Sequence, residues 1–188
     1  QKAIAKNAYR IAKGKKVSIG PITLRPRYNP NATQPDKDVS NTPLPSSVDA
    51  RQRTWFTEGW TAMSLRSLTE SESISTLTYF ETLGWRGIRE LSTGSKDSLN
   101  FASKPGEEFP VWRLFKHLKG FTHARSTASS LPELVDCLIV TSGQKVKVIL
   151  VNFSTIKQEV KFSGIDLKPQ ILIPESVTYL AVTGVANV

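Results

Sequence analysis

The sequence has few of the residues that build disulfides, metal clusters or membrane spans. Its 188 residues include one cysteine, so no disulfide can form within the chain. That residue, Cys137, lies in an apolar run, where a free cysteine is usually a buried small hydrophobe. The longest apolar stretch, residues 146–153, is interrupted by Lys147 and Asn152. A transmembrane helix is therefore excluded, and no membrane partner is expected.

Motifs for cofactors and metals are also lacking. The chain contains no GxSxG, no phosphate-binding loop and no GxGxxG. Its two histidines, His117 and His123, have no cysteine, histidine or acid nearby at the spacing of metal ligands. We expect neither a metal nor an organic cofactor.

Residues 1–16 carry lysines throughout and have no apolar segment, so they do not form a signal peptide. A cytoplasmic location is the expectation. Because the sequence does not begin with methionine, a periplasmic or secreted location stays open as the alternative.

Acidic residues are absent from residues 1–27, although this segment carries eight of the 25 lysines and arginines. The rest of the chain has 17 basic and 16 acidic residues, so the net charge of +9 comes almost entirely from one end. Nucleic-acid binders usually interleave basic residues with aromatic platforms or carry a recognition helix. The distribution here favours a solvated or partner-facing helix, and no nucleic-acid partner is expected.

Helices, strands and long polar loops alternate in residues 1–125, which is typical of a parallel α/β architecture. Helical spacing of apolar residues and Gly14 as a stop predict the first helix, and Asp49 is a candidate N-cap for the second. The predicted elements are helix 2–13, strand 16–24, a helix from Asp49 to about Leu68, strand 73–80 and helix 109–121.

Residues 126–188 have a different composition and predict a small antiparallel β-sandwich domain. Short strands are separated by Gly, Ser or Pro turns, and Ser142-Gly143 is a hairpin signal. The predicted strands are 135–141, 145–153, 158–162, 170–173 and 177–182. The fold class is thus α/β followed by all-β, with domains at 1–125 and 126–188.

The α/β part has too few strands to stand alone. It offers two clear strands and one weaker candidate, whereas a parallel sheet is normally larger and covered on both faces. Open strand edges would also promote aggregation. We therefore expect the rest of the sheet to lie upstream, in an N-terminal part of the same barrel, and we expect these residues alone to be inactive.

Glu81 is the main catalytic candidate. It follows an apolar strand directly, and α/β barrels place catalytic groups at the C-terminal ends of their strands. Tyr79, Trp85 and Arg86 are candidate substrate-binding neighbours, since an aromatic ring can pack on a sugar and a guanidinium can bind oxygens. The alternative is that Glu81 simply pairs with Arg86 or Arg89 at a strand end.

A second candidate cluster follows the preceding strand. Arg25, Arg27, Tyr28 and Asn29 would border the same pocket if the two strands are neighbours, and could stabilise an oxyanion or an acidic product. The alternative is that these residues are simply exposed side chains of a loop.

Four segments resemble the bacterial D-apionate lactonase family. They are GPITLRPRYNPNAT at 20–33, VDARQRTWFTEGWT at 48–61, TYFETLGWRGI at 78–88 and KPGEEFPVWRLFKHLKGF at 104–121. The first three are specific, whereas the C-terminal strands are generic.

This resemblance implies the end of a (β/α)8 TIM barrel joined to a β-sandwich, and hydrolysis of D-apionolactone to D-apionate in apiose catabolism. It also implies that strands 16–24 and 73–80 are the sixth and seventh of the barrel. More distantly, retaining-clan barrel glycoside hydrolases carry their nucleophilic Glu after the seventh strand, at the position of Glu81. Their acid/base Glu follows the fourth strand, which this chain does not include.

Three functions therefore stay open. The first is lactone hydrolysis of a small sugar-derived substrate, and the second is a retaining glycoside hydrolase with Glu81 as nucleophile. The third is a non-catalytic β-sandwich binding module. Residues 129–188 offer it few aromatics, and the alternation of the strands makes Phe153 and Phe162 core residues.

Overall fold

The computed structural model describes residues 1–26, 43–70 and 74–182, with the side chain of Lys2 left out. It is a mixed helix and sheet structure. The helices are α1 (Lys2–Ala12), α2 (Trp55–Thr69) and α3 (Pro110–Leu118). The strands are β1 (Val17–Ile22), β2 (Ile74–Tyr79), β3 (Glu81–Leu83), β4 (Gly87–Arg89), β5 (His123–Arg125), β6 (Val135–Ser142), β7 (Lys145–Asn152), β8 (Gln158–Val160), β9 (Gln170–Leu172) and β10 (Ser176–Val182).

The two strands predicted for the α/β part are neighbours. β1 and β2 pair in parallel, with Ile19 opposite Leu77. Gly20 permits this pairing, because a Cβ atom at that position would lie 2.7 Å from the Cβ of Thr78. Within the described residues, these two strands form a sheet of their own. Their C-terminal ends therefore lie side by side, as the pocket hypothesis requires.

The start of α2 differs from the prediction. Asp49 caps a 3-10 turn at Ala50–Arg53, where its side chain accepts a hydrogen bond from the backbone N–H of Arg51. Thr54 is the residue that caps α2, accepting from the N–H of Phe56. The prediction of Asp49 as the helix N-cap was wrong because the chain makes a separate short turn before the α-helix begins.

The C-terminal strands form a four-stranded antiparallel sheet in the order β10-β7-β6-β5. β5 was not predicted; it pairs with β6, His123 lying opposite Thr141. The sheet thus begins at His123, slightly before the predicted start of the second domain at residue 126. β8 and β9 form a separate two-stranded antiparallel ribbon.

Helices cover one face of the four-stranded sheet. Gly59 permits close packing of α2 on this face, since an added Cβ atom would lie 2.7 Å from Val151. The buried core between helices and sheet consists of Ala62, Leu114, Leu138, Val140, Ile149, Val151 and Val177. The opposite face packs against residues of the β8–β9 segment, including Val160 and Leu172. Helices, sheet and ribbon therefore make three layers.

A buried polar network joins the helices to the sheet. Glu58 of α2 is completely buried, and its carboxylate accepts two hydrogen bonds from Arg113 of α3, at 2.6 and 2.8 Å. The hydroxyl of Tyr179 on β10 donates to the same carboxylate at 2.5 Å. A charge with three donors is well satisfied although it is buried.

His117 extends this network, and its surroundings should make the free energy of unfolding depend on pH. Its ring stacks on Tyr179 with centroids 3.9 Å apart, and Lys147 donates to its Nδ1 at 3.2 Å. Burial lowers the pKa of His117, and Lys147, Arg113 and Lys116 lower it further, against an opposing effect of Glu58. The folded state therefore disfavours the protonated ring.

Because the unfolded chain then binds more protons, the free energy of unfolding should fall as pH decreases below about 6.5. Urea unfolding between pH 8 and 5 measures this. His117→Gln should flatten the curve relative to the wild type, whereas His123→Gln, at an exposed position outside the network, should not. Equal slopes for the wild type and His117→Gln would contradict the expectation.

Candidate functional site

Glu81 is the first residue of β3 and lies two residues after the end of β2, where the chain makes a sharp change of direction. Phe80, between β2 and β3, has a φ of 55°, a left-handed conformation that is uncommon for an aromatic residue. The following segment makes a tight loop that brings β4 alongside β3 in parallel: the N–H of Glu81 donates to the carbonyl of Arg86 at 3.0 Å, and that of Gly84 to the carbonyl of Arg89 at 2.8 Å. β3 and β4 thereby hold Glu81 and Arg86 next to each other.

Glu81 and Arg86 form an ion pair. Arg86 Nη2 lies 2.9 Å from Glu81 Oε1, and each side chain is about a third exposed. Arg86 Nη1 also donates to the hydroxyl of Ser47 at 3.2 Å. The pairing proposed as an alternative for Glu81 is therefore present, in a position where both groups are open to a ligand.

A cavity of about 420 Å³ opens beside this pair. Its size falls within the range typical of small-molecule sites. Charged side chains of both signs line it together with an indole ring, a combination suited to a polar ring with several oxygens. Its lining includes Glu81, Trp85, Arg86, Glu90, Leu91 and Lys96.

Trp85 forms an ordered wall of the cavity. Its Nε1–H donates to the hydroxyl of Ser95 at 3.0 Å. Its ring packs on Phe101, which is fully buried, with centroids 5.9 Å apart and planes at 30°. Trp85 was predicted as a substrate-binding residue, and the structure brings it to the same cavity as Glu81 and Arg86.

Glu90 is a second carboxylate of this cavity, and sequence reasoning missed it. Glu90 is almost fully buried. Its carboxylate oxygens accept hydrogen bonds from the N–H of Leu91, at 2.8 Å, and from the hydroxyl of Ser103. It lies in a polar segment with no helical or strand periodicity. In such a segment the sequence does not distinguish a buried acidic residue from an exposed one. Its position one residue after β4 was the available signal, but so short a strand was not predicted.

Tyr79 lies away from the cavity. Its hydroxyl forms a 2.7 Å hydrogen bond with the hydroxyl of Ser64 on α2, and its ring packs against Phe80 and Phe115. Burial raises the pKa of Tyr79 to about 12, with the hydrogen bond to Ser64 acting in the opposite direction. In this arrangement Tyr79 stabilises the packing of α2 on β2, and it does not line the cavity of Glu81.

Arg25 also lies outside the cavity lining. Its Nε is 3.4 Å from Asp49 Oδ2, and its side chain is about half exposed. Arg51 binds the same carboxylate, and this hydrogen bond holds the pKa of Asp49 below its usual value despite partial burial. Arg27, Tyr28 and Asn29, the other members of the second predicted cluster, lie outside the described residues.

Groups of three or more potential metal ligands do not occur within residues 1–26, 43–70 and 74–182. In the same residues, no helix has both the length and the apolar character needed to cross a bilayer.

Comparison with known proteins now identifies the family. The family described as "D-apionate lactonase, TIM barrel domain" matches residues 1–123, which is well over half of the chain and includes the whole of the Glu81 cavity. The chain belongs to the D-apionate lactonase family. The resemblance seen in the sequence is thereby confirmed.

A solved endo-beta1,6-glucanase is similar to this lactonase-family chain in fold. The two superpose with a TM-score of 0.52 at 8% identity, over 98% of this chain and 39% of the glucanase chain. The lactonase-family chain thus spans well under half the length of that structure. At this identity the likeness concerns the fold. No curated protein matches the sequence significantly.

The family description and this neighbour together support a TIM-barrel component in the fold. The distant resemblance to barrel glycoside hydrolases seen in the sequence agrees with this neighbour at the level of the fold.

Proposed function

We propose that the intact protein hydrolyses a sugar lactone, D-apionolactone to D-apionate, in the cavity beside Glu81. The observation that carries this proposal is that one cavity of about 420 Å³ unites Glu81, Arg86 and Trp85 directly after the parallel strand β2. This is the strand end at which barrel enzymes carry their chemistry. Membership in the lactonase family supports the choice of substrate.

Glu81 acts as the general base in this proposal. Its carboxylate takes a proton from water while the water oxygen attacks the lactone carbonyl carbon, and a tetrahedral oxyanion forms. The ring C–O bond then breaks, and the proton passes from Glu81 to the departing alkoxide. The products are one hydroxyl and one carboxyl group, so the open-chain hydroxy acid contains the atoms of the lactone and one water.

Arg86 stabilises the oxyanion in the same step. Two of its N–H groups are directed to Glu81 and Ser47, and its guanidinium has further donors that a carbonyl oxygen can accept. Trp85 contributes an apolar surface for the C–H face of the sugar ring. Arg25, Arg27 and Tyr28 are proposed contacts of the remaining hydroxyl groups or of the acidic product.

We further propose that the upstream part of the same polypeptide completes the barrel, with β1 and β2 as its sixth and seventh strands. Within the described residues the parallel sheet has two strands, and α1 exposes Ile4 and Ile11, which lie two turns apart on one side of the helix. Such a helix face suits burial against a further helix. The four-stranded sheet and the β8–β9 ribbon would form the accessory β-sandwich.

A retaining glycoside hydrolase is the second candidate. The fold similarity to a glucanase and the position of Glu81 after a barrel strand favour it. In that reaction Glu81 would attack the anomeric carbon, and an acid/base carboxylate from the upstream part would protonate the leaving group.

The two candidates differ in the bond that is cut. The intact protein should release titratable acid from D-apionolactone and should release no nitrophenol from aryl glycosides. Cleavage of an aryl glycoside with no acid release from the lactone would contradict the lactonase proposal and favour the glycosidase.

A further inference from the structure

We propose that Ser95 is a positioning residue that fixes the Trp85 indole as the sugar-contacting wall of the cavity. The inference deepens the proposed function and rests on it. Ser95 lies in the polar loop between β4 and α3, and the sequence analysis did not predict it as a site residue. It acts through Trp85, so its effect should be on substrate affinity.

Two contacts define the orientation of the Trp85 ring. The Nε1–H donates to Ser95 Oγ at 3.0 Å, which restrains rotation of the ring about its side-chain bonds. Phe101, with no exposed surface, covers part of the ring at a centroid distance of 5.9 Å. The same indole lines the cavity of Glu81 and Arg86. Loss of the Ser95 acceptor would leave a partly buried indole N–H without its partner and free the ring to turn.

Ser95 is itself held in place by the turn that contains it. Its hydroxyl oxygen accepts a second hydrogen bond, from the N–H of Asp97 at 3.2 Å. Asp97 in turn accepts from the N–H and the side-chain amide of Asn100, at 3.1 and 2.7 Å. The N–H of Phe101 donates to the carbonyl of Asp97 at 2.9 Å. One turn thus supplies both the acceptor of the Trp85 ring and the aromatic residue that it packs on.

A Trp85 ring held in this orientation contributes equally to the binding of the substrate and of the transition state. Its loss should therefore raise KM and leave kcat nearly unchanged. By contrast, disturbance of Glu81 or Arg86 should lower kcat. The separation of the two parameters distinguishes a positioned wall from a general disturbance of the site.

The test uses the intact protein and five variants, one of them a double variant. Ser95→Ala should raise KM for D-apionolactone about fivefold, the effect of one lost hydrogen bond, with kcat within about twofold. Ser95→Thr keeps the hydroxyl and should restore KM. Ser98→Ala, at an exposed serine of the same loop, is the matched control and should behave as the wild type. In a Trp85→Phe background, Ser95→Ala should have no further effect on KM.

A second readout is independent of turnover. In protein labelled with 5-fluorotryptophan, the fluorine resonance of Trp85 is the one that Trp85→Phe removes. Ser95→Ala should shift or broaden this resonance, whereas Ser98→Ala should leave it in place, and D-apionolactone should shift it in the wild type. An unchanged Trp85 resonance in Ser95→Ala, or a loss of kcat at constant KM, would overturn the inference. Should the wild type fail to hydrolyse the lactone while Ser95→Ala still moves the resonance and a bound lactone does too, the proposed reaction fails and the positioning role stands.

Discussion

Replacement of Glu81 by Gln should lower kcat of the intact protein on D-apionolactone by at least about a hundredfold, with a small change in KM. Gln keeps the size of the side chain and can still accept a hydrogen bond from Arg86, which lies 2.9 Å from the carboxylate in the wild type. It lacks the charge needed to take a proton from water, and general base catalysis contributes about 10²–10⁴-fold. Steady-state rates of acid release measure the effect.

Glu108→Gln is the matched control for this variant. Glu108 is also a carboxylate paired with a cation, Lys116, at 3.1 Å, and its side chain is about half exposed. It lies outside the lining of the cavity, so its loss should leave kcat within about twofold of the wild type. A Glu81→Gln enzyme with nearly normal kcat would remove Glu81 from the mechanism. Glu90, the other carboxylate of the cavity, would then be the next residue to vary.

Replacement of Arg113 by Met should lower the free energy of unfolding by about 3 kcal/mol. Glu58 is completely buried, and two of its hydrogen bonds come from Arg113. Without the guanidinium, the carboxylate would keep the hydroxyl of Tyr179 as its donor, and an uncompensated buried charge typically costs about 3–5 kcal/mol. The value expected here is at the low end, because Arg113 is half exposed and water can reach the vacated space. Urea unfolding of the variant measures this difference.

Two further variants test the cause. Glu58→Gln combined with Arg113→Met removes the buried charge and should recover about half of the lost stability, a coupling expected for groups in contact. Lys116 lies on the same helix as Arg113. Lys116→Met removes its exposed ion pair with Glu108 and should lower the free energy of unfolding by less than about 1 kcal/mol. Equal losses for Arg113→Met and Lys116→Met would contradict the view that the Glu58 network joins the helices to the sheet.

Most of the elements follow from local patterns in the sequence. β7 and β10 were predicted to within about one residue because continuous apolar runs between turn residues favour buried strands. The parallel pairing of β1 and β2 followed from the order helix, strand, helix, strand. β5 could not be predicted in the same way, because its three residues contain two polar side chains and depend on pairing with β6.

The candidate site was predictable in part. Glu81, Trp85 and Arg86 stand directly after a strong strand pattern, and that position indicates chemistry in an α/β barrel. Tyr79 is two residues before Glu81, so regular strand alternation would put both on one face. The left-handed backbone of Phe80 interrupts the alternation, and the two side chains go to different environments. A single unusual dihedral angle of this kind leaves no trace in composition or periodicity.

Glu90 and Ser95 show the other limit of sequence reasoning. Both belong to the segment between β4 and α3, which is polar and rich in Gly, Ser and Lys. Their importance depends on contacts with Ser103, within this loop, and with Trp85, which lies between β3 and β4. Loop contacts of this type arise from tertiary packing, and the spacing of residue types does not encode them.

Titration of the acid released from D-apionolactone by the intact gene product and by these 188 residues alone tests the proposed lactonase activity most directly. We expect release by the intact protein well above the spontaneous rate, and none above that rate by the 188 residues. Failure of the intact protein to open the lactone would contradict the proposed function. Full activity of the 188 residues alone would contradict the proposal that an upstream part of the barrel completes the site.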